Sequence, residues 1–521
     1  MVLIQIVAQY PSEQTLIFNT IVMSNRKFFF IPILTLACFF LSCEKTLNED
    51  PQSIIAPDAF FNTADQCRQA TNGVYSHLPG IFNQTGFWSV TMAGTDLFMN
   101  QGGSASVEAI QDYNFSSATE ANSHAVWRVC YAAIKDANFV INRISQSEID
   151  DAVKQQLLGE NKFLRAMYYY ILTNIFGDVP LWTDELKIEE VSQLPRSPIA
   201  EVRAQMILDL QEAASSLPKN YDSKNTGRVT KGAALTLLAK IYLFDKNWQQ
   251  AYENASQVKD GEYILLPSYA TLFDPYNKSK NNKESIFEIQ YMRNAETNQN
   301  FIVNSFYTWF FPTGDAKGGT YAGVNFGSTI LQSYPQYYPT TYFMSLYQPE
   351  DERREVSLSW GYNGQLFNRG SKGDRPWFGP KFWDLTANRT ASEKNFYFLR
   401  YADVIMILAE AANELGNTSE AIAHLNMIKE RAKADLITSS DNLSQSQLRN
   451  EIMEERAREF VGEFQRKWDL SRWGTLVDAI GRIADDNADG VTNVQAHHNL
   501  FPVPYDEIVK NRNLTQNPGY N

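Results

Sequence analysis

Apolar side chains recur at three- and four-residue spacing over residues 64–77, 125–145 and 151–175. Such spacing keeps one stripe of a helix apolar, so each stretch is predicted to be a helix with one buried face. Phe176-Gly177-Asp178-Val179-Pro180 ends the third, with a glycine and a proline where a helix is expected to stop. Another helix is predicted over 199–216, closed by Leu217-Pro218. Two later stretches resemble each other. Leu238-Ala239 precedes Trp248 and Ala251-Tyr252 in one, Leu408-Ala409 precedes Ala421-Ile422 in the other, and the interval between the two alanines is the same. Small residues at those offsets let antiparallel helices approach closely, as in tetratricopeptide pairs. Tyr242 and the turns Asp245-Lys246-Asn247 and Gly416-Asn417 fit that arrangement; two unrelated helical hairpins are the alternative.

Helical periodicity fades over residues 79–122 and 260–395, where Gly, Pro, Asn and aromatic residues become dense. Long irregular segments inside a folded chain carry function more often than not. The expected organisation is therefore a helical scaffold at about 58–78, 123–258 and 396–480 that presents two loop-rich segments.

Residues 1–42 read as a delivery signal. Met23 opens a basic stretch with Arg26 and Lys27, and an apolar run follows over 28–41, too short to span a bilayer comfortably. It ends at Leu41-Ser42-Cys43, which resembles the lipobox of bacterial lipoproteins, with Cys43 as the lipidated residue of a mature chain 43–521. Met23 would be the true start. An uncleaved anchor helix is the alternative. Glu44, Glu49 and Asp50 resemble the export signal of surface-exposed lipoproteins.

Composition narrows the chemistry. The 521 residues carry 46 basic and 59 acidic side chains, net −13, which argues against a nucleic-acid partner. Five histidines and four cysteines leave little room for a metal or thiol site. Cys67 and Cys130 form either one disulfide or two buried thiols, and a domain this large does not need the staple. Aromatic residues reach 13%, a surplus that points to rings at the surface and to recognition.

In order along the chain stand Trp127, Tyr131, Ile134 and Asn138; Phe163-Leu164-Arg165-Ala166 through Tyr169 to Gly177-Asp178-Val179-Pro180-Leu181; and Gly227-Arg228-Val229-Thr230-Lys231-Gly232-Ala233-Ala234. Arg400-Tyr401-Ala402-Asp403, Glu455-Arg456, Glu459-Phe460, Trp468-Asp469-Leu470, Arg472-Trp473, Leu500-Phe501-Pro502-Val503-Pro504 and Gln516-Asn517-Pro518-Gly519-Tyr520 follow. In this order the chain resembles the RagB/SusD family of lipid-anchored nutrient-binding proteins. The resemblance implies a mainly α-helical fold with four tetratricopeptide-like helix pairs and an irregular ligand-binding part. It further implies a lipoprotein on the outer face of the outer membrane, seated as a lid on a SusC-like TonB-dependent transporter. The implied ligand is a glycan or oligosaccharide, with peptides or glycoprotein fragments as the alternative. No cofactor is implied. Some relatives bind calcium, whose ligands cannot be placed in this sequence.

Catalytic motifs do not assemble. Glu454, Glu455 and Glu459 beside Arg456 and Arg458 read as an ion-pair network between helices rather than as the opposed carboxylates of a glycosidase. Arg466, Asp469 and Arg472 read as a helix clamp, His497-His498 as an exposed loop, and Gly102-Gly103 and Gly318-Gly319 as flexible turns. Sugar recognition asks instead for flat rings on loops, with amides or carboxylates to orient hydroxyls. Trp88 (near Asn83, Gln84 and Asp96), Tyr291 with Arg293, Tyr307, Trp309, Trp360 and Trp377 are the candidates, each with core packing as the alternative. A purely structural role beside the transporter is a further reading.

Overall fold

The computed structural model describes residues 60–520, apart from 84, 260, 293–301, 316–318, 328–330 and 369–374. Cys43, the signal region 1–42 and Arg293 lie outside the described residues. Helix α1 (Ala64–Tyr75) starts at a capping box in which Thr63 and Gln66 satisfy each other's backbone N–H groups. Helices α2 (Thr85–Met92), α3 (Asn122–Gln146), α4 (Asp151–Phe176) and α5 (Ile199–Ser216) follow. Next come α6 (Lys231–Phe244) and α7 (Trp248–Lys259), and after a long irregular segment α8 (Tyr401–Glu414), α9 (Thr418–Arg431), α10 (Gln445–Phe460) and α11 (Arg466–Trp473). From α3 to α9 each helix packs on the next, so α8 resumes the stack on α7 after the whole irregular segment has intervened.

The two look-alike stretches form α6–α7 and α8–α9. Ala239, Ala251, Ala409 and Ala421 are all fully buried, which lets the helices of each pair approach closely. Both turns close alike: Asn247 N–H donates to the Tyr242 carbonyl and Asn417 N–H to that of Ala412. Lys246 and Gly416 take the same place with φ of +54° and +84°.

Residues 79–122, expected to be loop-rich, contain α2 and helical turns at His77–Phe82 and Ala105–Gln111. Gly86 through Met92 of α2 are all buried. A helix buried on every side, with Ser89 and Thr91 among its buried residues, shows no amphipathic period, which is why the pattern missed it. Residues 260–395 are irregular, with short paired strands. Strand β1 (Phe98–Asn100) lies antiparallel to β3 (Tyr337–Pro339), and β2 (Ser285–Ile289) to β4 (Phe396–Arg400).

The aromatic surplus is largely internal, contrary to the surface expected for it. Phe82, Phe87, Phe98, Phe306, Phe310, Phe378, Phe382 and Phe464 are buried and meet in a chain of edge-to-face and tilted contacts. They bind the irregular segment to the helices. Cys67 and Cys130 are buried free thiols.

A second internal system is ionic. Arg353, Lys381, Arg400, Lys429, Arg431 and Arg458 face Glu284, Asp351, Glu451, Glu455, Glu459 and Glu463, six cations against six carboxylates. Burial works to raise the Glu459 pKa, but Arg431, Arg400 and Arg353 outweigh it and hold this carboxyl far below the usual range. Glu455, between Arg353 and Arg458, is lowered to about 2 against the same penalty of burial. On the other side of α10, Arg456 reaches Asp403 and Asp469, Lys240 meets Asp403, and Arg472 holds Asp469 and Glu410. The ion-pair-network reading of Glu455 and Glu459 and the helix-clamp reading of Asp469 and Arg472 match this geometry.

Glu459→Gln should destabilise the chain by about 3–5 kcal/mol, because it leaves buried guanidinium groups underpaired. Glu454→Gln, at a side chain 40% exposed, should change stability by less than about 0.5 kcal/mol. Urea denaturation midpoints of the two variants check this.

Candidate functional site

Residues 306–309 form a single 3-10 turn. Phe306 and Phe310 point into the ring core, and Tyr307 is buried with its hydroxyl donating to the Arg389 carbonyl. Anchored on both sides, the turn leaves the Trp309 indole half-buried at the surface. Trp88 supports it from below, edge to face at 5.1 Å between centroids, and Tyr337 packs beside it at 5.6 Å.

The segment that leads into β3 completes the surface. Tyr334 N–H donates to the Thr308 carbonyl at 2.8 Å and Gln336 N–H to the Trp309 carbonyl at 2.7 Å. Tyr334, 60% exposed, therefore stands beside Trp309. Gln336 Nε2 donates to Asn100 Oδ1, Gln101 N–H to the Gln336 carbonyl at 2.8 Å, and Gln101 Nε2 to the Tyr337 carbonyl at 3.0 Å. These amides fix the Gln101-Gly102-Gly103 turn next to the rings. Both glycines have φ of +92° with open space around them. Among the described residues the Trp309 indole N–H and the Tyr334 hydroxyl have no hydrogen-bond partner, while Trp88 and Tyr337 hold the Trp309 ring in place. An indole so held can stack on a flat apolar face, with its N–H and the nearby tyrosine hydroxyl free to bind hydroxyls.

The other candidates are placed elsewhere. Trp88 is fully buried, its indole N–H donating to the Phe82 carbonyl at 2.6 Å, so it is a support and not a contact surface. Asp96 is fully buried in a two-pronged pair with Arg466, at 2.8 and 2.6 Å. Tyr291 packs edge-on against Phe396 and is 3% exposed, its N–H donating to Asn395 Oδ1 just beyond β2. Tyr307 and Trp377 are buried, the latter in a two-residue strand against Leu358–Ser359. Trp360 is half-buried, but Arg354 lies over its ring at 4.4 Å. Of the predicted rings, Trp309 alone meets the amide cluster.

Tyr334 was missed, although the Gln332-Ser333-Tyr334-Pro335-Gln336 run signals it: a proline-bearing polar segment can neither bury its tyrosine in a helix nor in a central strand. His498 also differs from expectation. It is buried against Tyr113, Phe115 and Tyr520 rather than on an exposed loop, and burial pushes its pKa down to about 3. Glu455 and Glu459 are inaccessible and face arginines, so they line no cleft. No group of three or more His, Cys, Asp or Glu suited to a metal ion occurs among the described residues, and no helix there is long and apolar enough to cross a membrane.

Two family models match the chain, the SusD family over residues 283–520 and "Starch-binding associating with outer membrane" over residues 46–243. SusD-like protein P25 of Formosa agariphila is 27% identical over 94% of this chain and 97% of its own length. The chain belongs to the SusD family. Its fold agrees with those of solved SusD structures. A SusD homologue from Bacteroides thetaiotaomicron superposes with a TM-score of 0.76 at 22% identity, covering 89% of this chain and 98% of that one. Surface glycan-binding protein A from the same organism, solved with laminarihexaose, superposes with a TM-score of 0.71 at 20% identity, covering 88% and 100%.

The two tryptophans should separate by stability. Trp88→Ala empties a fully buried site and should cost about 3–5 kcal/mol. Trp309→Ala removes a half-exposed ring and should cost about 1–2 kcal/mol. Chemical denaturation of both variants tests the assignment of support and surface.

Proposed function

We propose that this SusD-family chain is a non-enzymatic lipoprotein that captures an oligosaccharide on the Trp309–Tyr334 surface. It hands the ligand to a SusC-like TonB-dependent transporter in the outer membrane. The observation that carries the reading is a fixed, half-buried Trp309 ring with an unengaged indole N–H, set beside the exposed Tyr334 and the Gln101 turn that the buried Asn100 and Gln336 amides hold. Sugar rings have an apolar face suited to an indole and hydroxyls suited to amides. The matched description of starch binding and the relative solved with laminarihexaose support the same class of ligand. That description's association with the outer membrane, together with the lipobox-like Leu41-Ser42-Cys43, supports a lipid anchor at Cys43 facing the exterior. A lid that delivers its ligand must release it quickly, and stacking on an open surface gives weak, rapidly exchanging binding.

The soluble chain 44–521 is expected to be retarded in affinity gels carrying one of starch, laminarin, xylan or mannan. Trp309→Ala should weaken that retardation at least about tenfold, since losing one ring face removes about 1.5 kcal/mol or more. Unchanged mobility in every gel, or retardation indifferent to Trp309, would contradict the reading.

A further inference from the structure

Two clefts open on either side of Thr226-Gly227-Arg228. One, of about 340 Å³, is bounded by Asn220, Tyr221, Tyr263 and Asn281. The other, of about 320 Å³, is bounded by Tyr75, Pro79, Gln290 and Ile302. They share Thr226, Gly227, Arg228, Phe287 and Glu288, so the three-residue bridge is a saddle between two halves of one groove. Gly227 keeps the saddle low. Its φ is +91°, and a Cβ there would meet the Gln290 side chain at 2.9 Å.

The walls are fixed before any ligand arrives. Asn281 and Gln290 exchange two amide hydrogen bonds at 3.0 and 2.8 Å across the groove wall. Every nitrogen of the Arg228 guanidinium is engaged, with Glu160 at 2.7 Å, Asn72 at 2.7 Å and Asn225 at 3.1 Å, so this cation is not available to an anionic ligand. In the first cleft Arg228 and Lys283 stand against Glu262 and Glu288, which leaves it formally neutral. The second cleft adds Lys224 at its wall, and amides, tyrosines and a nearly balanced charge across the groove favour an uncharged, hydroxyl-rich ligand.

The groove also lies close to Trp309 along the chain. Ile302, 41% exposed, forms the rim of the second cleft. From there the backbone runs through Val303 and Ser305, both held by Asn83 at 2.9 and 3.3 Å, to Trp309. Seven residues reach at most about 25 Å. We propose that the saddle groove binds a second stretch of the same uncharged glycan chain whose first stretch lies on Trp309. This rests on the capture reading above. The groove would make affinity depend on glycan length, since one polymer engages both places at once.

The test uses the chain 44–521 and its variants Thr226→Trp and Asn220→Trp, each placing an indole in the groove from an exposed position, with folding checked by thermal melts. Retardation in starch, laminarin, xylan and mannan gels is compared with calorimetric binding of the trisaccharide of the retarding polymer. Weakening of polymer binding by at least about tenfold, with trisaccharide binding unchanged, supports the groove. Unchanged polymer binding in either folded variant overturns it and leaves the capture reading intact. Equal loss of trisaccharide binding also overturns it, because the groove would then be part of the first site. A wild-type chain that binds none of the polymers overturns both readings, so the two failures are distinguishable.

Discussion

Three arginines converge on the carboxylate of Glu459, and they come from parts of the chain far apart in sequence. Arg353 arrives from the irregular segment, Arg400 from the end of β4, and Arg431 from the end of α9. Each is nearly inaccessible, so each must find its partner or carry a large desolvation penalty. Helix α10 therefore works as a polar axle. Its Glu455, Arg458 and Glu459 serve one array, while Arg456 serves the other, where Asp403, Asp469, Lys240 and Gln465 meet. Because each array is balanced only when every element is in register, a shift of one helix would strand several charges together. That constraint fixes the helical frame on which the irregular segment is hung.

Much of the frame was legible in the sequence. Ala239, Ala251, Ala409 and Ala421 announce close-packed pairs because only small residues tolerate that approach, and the requirement is local. Glu455 and Glu459 could be read as a helix-binding network because their spacing places them on one face beside arginines. The spacing places Arg466 in a clamp with Asp469 and Arg472, yet its carboxylate partner is Asp96, from a segment hundreds of residues earlier. No local pattern predicts such a pair. Helix α2 was invisible for a different reason: burial on every side removes the polar stripe by which a helix is recognised.

The site was less legible because rings serve two purposes with the same chemistry. Trp88 and Trp309 both lie beside other aromatic residues in sequence, and it is their burial, with a mutual contact at 5.1 Å, that decides which is underneath. The decision belongs to long-range packing. Phe306 and Phe310, on either side of the turn, enter the core and so orient Trp309 outward. Tyr334 joins it through backbone hydrogen bonds between segments that no periodicity links. Support from below, exposure above and hydrogen-bonded amides at the side fix the place of the Trp309 indole.

Buried charges hold helices, helices and buried rings hold a turn, and the turn holds one indole at the surface, which is where the proposed capture would take place. A crystal structure of the chain with a starch or laminarin oligosaccharide tests this most directly. The account predicts a sugar ring lying parallel to the Trp309 indole, with hydroxyls within hydrogen-bond reach of the indole N–H, the Tyr334 hydroxyl or the Gln101 side chain. An oligosaccharide bound elsewhere, with the Trp309 face left uncovered, would contradict it.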